Sequence, residues 1–222
     1  MERLIVLDTE TTGIEPSEGH RIIEIGCVEI IDRVITESQY HQYLQPDRNV
    51  GDSVRIHGIT DSYLTGKPKF EDVALEFLEY IEGSTLVIHN APFDLGFLNN
   101  ELLLMNTDQI IEDNCSVIDS LELSKRQRPG RMHNLDALCR RFEIDASART
   151  VHGALLDAQI LAQVYLAMTG GQSTLFSDSN VNIKSKENSN SFVRLSSERE
   201  SLKIVRASES ELEAHNNYFS PS

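Results

Sequence analysis

The sequence predicts an α/β fold, and three observations carry that expectation. An apolar run, Leu4-Ile5-Val6-Leu7, opens the chain and leads into the acids Asp8 and Glu10. Two segments with β-branched, alternating character follow at residues 22–31 and 34–44, separated by a short polar turn. Beyond them, helical patterns and short apolar strands take turns until a glycine pair at 170–171.

In chain order, residues 3–8 read as a first strand, and 22–31 and 34–44 suggest an antiparallel meander. A helix is expected over 70–82 and a buried strand over 85–89. The next helix opens at Pro92, whose fixed φ and missing N–H suit a first helical turn, and runs to about residue 105. Residues 117–119 could form a short fifth strand. Helices are expected at 120–126, 134–142 and 153–168, the last with Leu155, Ala158, Leu161, Ala162 and Tyr165 at core-facing spacing. Open α/β sheets place ligands at the carboxyl ends of their strands, here the first and fourth.

Gly170-Gly171 ends the last helix and sets a boundary, giving a domain over residues 1–170. Residues 171–190 turn to Ser, Asn, Asp and Lys, the composition of a flexible linker. In 191–222, apolar residues return at 192–195 and 202–205, and Ser208-Glu-Ser-Glu211 has capping-box spacing. This C-terminal tail has too few core formers to fold alone, so it is expected to order on a partner.

The chain has 222 residues, 40% of them hydrophobic and 25% charged, and no apolar run approaches the ~18 residues of a membrane span. No secretory signal pattern follows Met1, so a cytoplasmic location is expected. Cys27, Cys115 and Cys139 are odd in number and lie in largely apolar segments, which suits buried thiols in a reducing compartment. The net charge of −15 argues against gripping nucleic acid unaided, because such affinity comes from Lys and Arg displacing counterions. Residues 172–222 hold seven acids and six bases, so nearly all the excess sits with the candidate site. Two divalent cations there would restore four positive charges, and delivery by a partner would supply the rest.

Chemistry concentrates in a few acids and histidines. In extended chain, residues i and i+2 point the same way about 6.5 Å apart. Asp8 and Glu10 can therefore reach a pair of cations about 4 Å apart, of the kind that cleaves phosphodiesters. Carboxylate oxygens suit Mg²⁺ or Mn²⁺, and the turn Thr11-Thr12-Gly13 lets backbone approach a bound group. Asp94 is either a further ligand or an acid placed to favour a helix N-terminus. His89, Asn90 and Phe93 offer a polar and an aromatic surface for a nucleotide, although Phe93 equally suits a core. His152 could be a surface histidine at a helix start, or a base that takes a proton from an activated water. Asp157, on an otherwise apolar helix face, is costly unless paired or metal-bound. Asp52 and His57 are candidates for substrate contact, with solvated surface as the alternative. The basic island at residues 125–131 is a phosphate-contacting loop or plain solvated charge.

Three segments, Leu7-Asp-Thr-Glu-Thr-Thr-Gly13, His89-Asn-Ala-Pro-Phe-Asp-Leu-Gly-Phe97 and His152-Gly-Ala-Leu-Leu-Asp-Ala-Gln-Ile-Leu161, resemble in order and spacing the motifs of the DEDDh exonucleases. Residues 1–171 resemble, within that family, the proofreading 3′→5′ exonuclease subunits of bacterial DNA polymerase III. The resemblance implies a ribonuclease-H-like fold with a mixed five-stranded sheet flanked by helices. It also implies Asp8, Glu10, Asp94 and Asp157 as the metal-binding acids and His152 as general base. Asp8, Glu10, Asp52, His57 and Asp157 are the expected substrate contacts. Gln172-Ser-Thr-Leu-Phe176 resembles a sliding-clamp docking peptide, with Gln172, Leu175 and Phe176 as its contacts. The tail resembles the segment that binds the polymerase III alpha subunit, but ends in a shorter form. The expected reaction is stepwise hydrolysis of a single-stranded DNA 3′ end. An exoribonuclease acting on RNA ends and a mainly structural bridge between polymerase and clamp are the alternatives.

Overall fold

The computed structural model describes residues 2–147, 149, 151–170, 208–212 and 215. The chain divides into two units, Met1–Ser177 and Asp178–Ser222. The first contains strands β1 (Arg3–Thr11), β2 (Ile22–Ile31) and β3 (Val34–Tyr43) and the short helices α1 (Val54–His57) and α2 (Asp61–Leu64). It continues through α3 (Phe70–Ile81), β4 (Thr85–Ile88), α4 (Ala91–Leu104) and β5 (Ser116–Asp119), and ends with α5 (Ser120–Gln127), α6 (Leu135–Phe142) and α7 (Ala154–Thr169).

The strands form one mixed sheet in the order β3-β2-β1-β4-β5. β1, β2 and β3 pair as the antiparallel meander, while β4 and β5 add in parallel beyond β1. Strand side chains alternate between faces, and each face has its own core. Ile5 and Leu7 of β1 join Phe70 and Phe77 of α3 and Phe97 and Leu98 of α4. Leu4 and Val6 join Leu135 and Leu138 of α6 and Ala158, Leu161 and Tyr165 of α7. Asp8 and Glu10 continue the second set, toward α7.

β1 extends beyond the expected 3–8 and carries both acids inside the strand. Thr9 and Thr11 are polar, yet they pair with Ile25 and Ile22 of β2, so backbone hydrogen bonding continues after the apolar run ends. The four-residue helices α1 and α2 interrupt a stretch without periodic signal. Pro92 lies one position inside α4, which begins at Ala91. All three cysteines are free and buried.

Among the described residues, no helix is long and apolar enough to cross a membrane. In the second unit the expected capping box is formed. The Ser208 N–H donates to Glu211 Oε2 at 2.8 Å and the Glu211 N–H to Ser208 Oγ at 3.4 Å, opening a helical turn at 209–212. Gln172, Leu175 and Phe176 lie outside the described residues.

Candidate active site

The first acids come from β1, where Asp8 lies opposite Gly26 and Glu10 opposite Glu24. Glu10 is 8% exposed, and among the described residues no side-chain hydrogen bond or ion pair holds either carboxylate. Burial, then the negative charges of Asp94, Glu10 and Asp157, push the Asp8 carboxyl well above its ordinary value, while Arg149 pulls it down. Burial, then Asp157 and Glu24, push Glu10 up to about 8. Unpaired acids in such surroundings favour a bound cation or a bound proton.

The third acid depends on the β4–α4 turn. Asn90 takes a left-handed φ of 71°, and the backbone N–H groups of Asn90 and Ala91 both donate to the Asp119 carboxylate at 3.2 Å. Asp119 also caps α5 through the Leu121 N–H at 2.8 Å, so one side chain ties β5, α5 and this turn together. The turn delivers Asp94 against β1, where its Oδ1 accepts from the Thr9 N–H at 3.0 Å and the Thr9 hydroxyl at 2.7 Å. Burial raises the Asp94 carboxyl to about 7, although the Thr9 hydrogen bonds oppose the rise.

The fourth acid rides on α7, whose first turn packs directly on β2. A Cβ at Gly26 would collide with the backbone of Ala154 and Leu155, so this glycine permits the approach beside Asp8. Gly153 offers no side-chain cap; the buried Glu24 substitutes, its Oε2 accepting the Ala154 N–H at 3.1 Å. Asp157 is thereby brought beside the β1 acids and is 3% exposed. His152 precedes the helix, as sharing a site with Asp157 requires, and its Nδ1 lies 3.3 Å from Asp157 Oδ2. Glu10, His152 and Asp157 each offer a ligand atom, all within 4.8 Å of one another.

Asp8, Glu10, Asp94, His152 and Asp157 line one cleft of about 430 Å³, with His89 and Phe93 on its wall. Asp52 and His57 are not among its lining residues. Asp52 is exposed, 3.4 Å from Arg55. His57 is buried rather than solvated, because α1 packs it inward; its Nδ1 accepts the Ile59 N–H at 3.0 Å, and among the described residues its Nε2 has no partner at hydrogen-bond geometry. The Ile56 carbonyl beside it accepts the His152 N–H at 3.2 Å, linking α1 to the segment before α7. Arg126, Arg128 and Arg131 of the basic island are exposed.

Arg149 is a site residue that sequence reasoning missed. Its Nε and Nη2 donate to the two Asp157 oxygens at 2.5 and 2.7 Å, and its Nη1 donates to Asp136 at 2.6 Å. In a polar stretch eight residues before Asp157, this arginine carries no motif and reads as solvated charge.

Residues 5–165 match the exonuclease family. The DNA polymerase III epsilon subunit of Salmonella typhimurium is 50% identical over 220 residues, covering 96% of this chain and 90% of the relative. The chain belongs to the epsilon family of exonucleases. The Escherichia coli epsilon subunit is 48% identical over the same proportions of both chains. The epsilon subunit of Rickettsia felis, at 41% identity, covers 98% of this chain and 96% of its own. Among solved structures, exonuclease X in complex with 5′ overhanging duplex DNA matches with TM-score 0.58 and 27% identity, covering 75% of this chain and 91% of that one. The nuclease domain of 3′hExo, a DEDDh family member bound to rAMP, shares the fold at TM-score 0.65 and 19% identity, with the same coverage. The sheet and its helices are thus the ribonuclease-H-like exonuclease fold.

Proposed function

We propose that this chain is a 3′→5′ DNA exonuclease that proofreads for a bacterial replicative polymerase, releasing nucleoside 5′-monophosphates from a single-stranded 3′ end. The observation carrying this is the meeting of four acids and a histidine in one cleft of an epsilon-family chain. The relatives' names connect such chains to DNA polymerase III rather than to RNA trimming.

Divalent cations, Mg²⁺ or Mn²⁺, fit the donor set: oxygen-rich, buried, and short of protein counter-charge at Asp8 and Glu10. Asp8, Glu10 and Asp157 would hold one, and Asp8 with Asp94 a second. When bound, such ions neutralise phosphodiester charge, activate water and stabilise the departing 3′ oxygen. His152, whose side chain is 48% exposed at the cleft, takes the proton from the attacking water. Phe93 supplies a ring for the terminal base to stack on. A frayed mismatch enters at lower cost than a paired terminus, which gives selectivity. Asp52 is exposed and can meet substrate outside the cleft, whereas His57, 4% exposed, is too enclosed to do so.

Residues 1–170 form the catalytic domain, 171–190 the linker and 191–222 the tail that binds the polymerase alpha subunit. Gln172, Leu175 and Phe176 dock on the sliding clamp, which places the chain in the nucleoid-associated replisome. Release of mononucleotides from labelled single-stranded DNA and RNA, with and without Mg²⁺ or Mn²⁺, tests the activity; cation-independent release or a preference for RNA would refute it. His152→Ala should lower turnover roughly 10²–10⁴-fold while sparing Mn²⁺ and DNA binding. Normal turnover would remove its role as base.

A further inference from the structure

We propose that Arg149 is an exchangeable counter-ion of the active site. It holds Asp157 and His152 in the cation-free chain and leaves both when Asp157 takes up a divalent cation. This rests on Asp157 being a metal ligand.

The geometry supplies the reasons. Arg149 is only 10% exposed, and its fork engages both oxygens of Asp157. Its Nη2 also lies 2.8 Å from His152 Nδ1. A guanidinium has no acceptor, so that nitrogen must accept, and its lone pair is occupied. The same cation thus covers a carboxylate that would bind metal and a nitrogen that would take a proton. Glu10 and Asp157 offer ligand atoms within 4.8 Å of each other and of the His152 ring, so an ion held between the two carboxylates would face Arg149 at close range with like charge. Among the described residues lining the cleft, Arg149 is the one arginine or lysine.

A second anchor makes the exchange practicable. Nη1 is held at 2.6 Å by Asp136 on α6, whose side chain is 59% exposed and lies outside the ligand cluster. Arg149 can therefore give up Asp157 and His152, keep Asp136, and remain at the cleft edge. Its departure frees the ligand and the base together. Arg149 is accordingly a positioning residue, whose charge keeps the acid pocket ordered until the ions arrive.

The direct test follows the Arg149 Nε–H by ¹⁵N NMR in the full chain during a Mg²⁺ titration, with R149K supplying the assignment. Without cation the signal should be shifted by its carboxylate and protected; at saturation it should move and exchange at least about tenfold faster. A signal unchanged at saturation overturns the exchange. Mn²⁺ affinity read by electron paramagnetic resonance, without DNA, is the second measurement. Folded R149Q should bind about tenfold tighter than the parent and R149K nearer to it, whereas equal or weaker binding by folded R149Q overturns the proposal. D157N separates the two layers. If parent and D157N bind Mn²⁺ alike, the metal-site assignment and the exchange fall together; if binding needs Asp157 but the Arg149 signal stays fixed, the exchange alone falls.

Discussion

Two sets of buried acids share this fold and are treated in opposite ways. Glu101 and Glu24 are each 2% exposed and fully engaged. Glu101 takes Arg21 on both oxygens at 2.7 and 2.6 Å, and Glu24 takes His41 at 2.7 Å and the α7 N-terminus at 3.1 Å. Glu10 is 8% exposed, a strand residue directly opposite Glu24, yet its carboxylate has no such partner among the described residues, nor has Asp8. Burying a carboxylate is costly in either place. The first pair stabilises the fold; the second is left for a ligand from outside the chain.

The difference is sharpest in Asp8→Asn. Turnover should fall roughly 10³-fold, since an electrostatic anchor of the reaction is lost. Thermal stability in chelator should hold or rise, because like-charge repulsion with Asp94 and Glu10 goes with it. A clear loss of stability in assays of both would place Asp8 with the structural acids. Arg21→Ala makes the converse change, stranding Glu101, and should cost about 3–5 kcal/mol by denaturant unfolding. An unaffected midpoint would dissolve the distinction.

The pH dependence of metal-free stability has a definite sign. Glu10 rises from 4.5 to about 8 and Asp94 from 3.8 to about 7 on folding, so the folded chain binds protons that the unfolded chain has released. Their stabilising contribution is complete below the unfolded values and is lost as pH climbs through the folded ones, up to about 8. Melting in chelator from pH 4 to 9 should show that decline, and saturating Mn²⁺ should flatten it. A smaller effect belongs to Gly26→Val, which would force α7 off β2 for about 1–3 kcal/mol. Circular dichroism melts would register the cost, and Mn²⁺ affinity should weaken because Asp157 moves with the helix; unchanged affinity would detach the site from this packing.

The sequence displayed the pieces that local chemistry announces. Asp8 and Glu10 stood out after an apolar run, Asp157 on an apolar helix face, and the strand and helix order was readable from periodicity. Where β1 ends was not readable, because Thr9 and Thr11 extend it by backbone pairing with β2 rather than by apolar pattern. The helices α1 and α2 are shorter than the window in which helical periodicity can register. Glu24, Gly26 and Asp119 were invisible for one shared reason: each acts on a residue or turn brought near only by the tertiary fold, whereas Arg149, three and eight positions from His152 and Asp157, was hidden because its polar stretch carries no motif. Glu24 is 130 positions from the N–H it caps, and Asp119 is 28 from the Ala91 N–H.

The central claim is that Asp8 and Glu10 are left without a protein partner beside Asp94 and Asp157 because cations complete the cluster. Calorimetric titration of the chain with Mn²⁺ at pH 7, repeated in buffers of different ionisation enthalpy, measures binding and proton release together. Two ions should bind, displacing protons from the raised carboxyls, with both signals sharply reduced in Asp8→Asn. Binding without proton release, or equal binding by Asp8→Asn, would contradict the account.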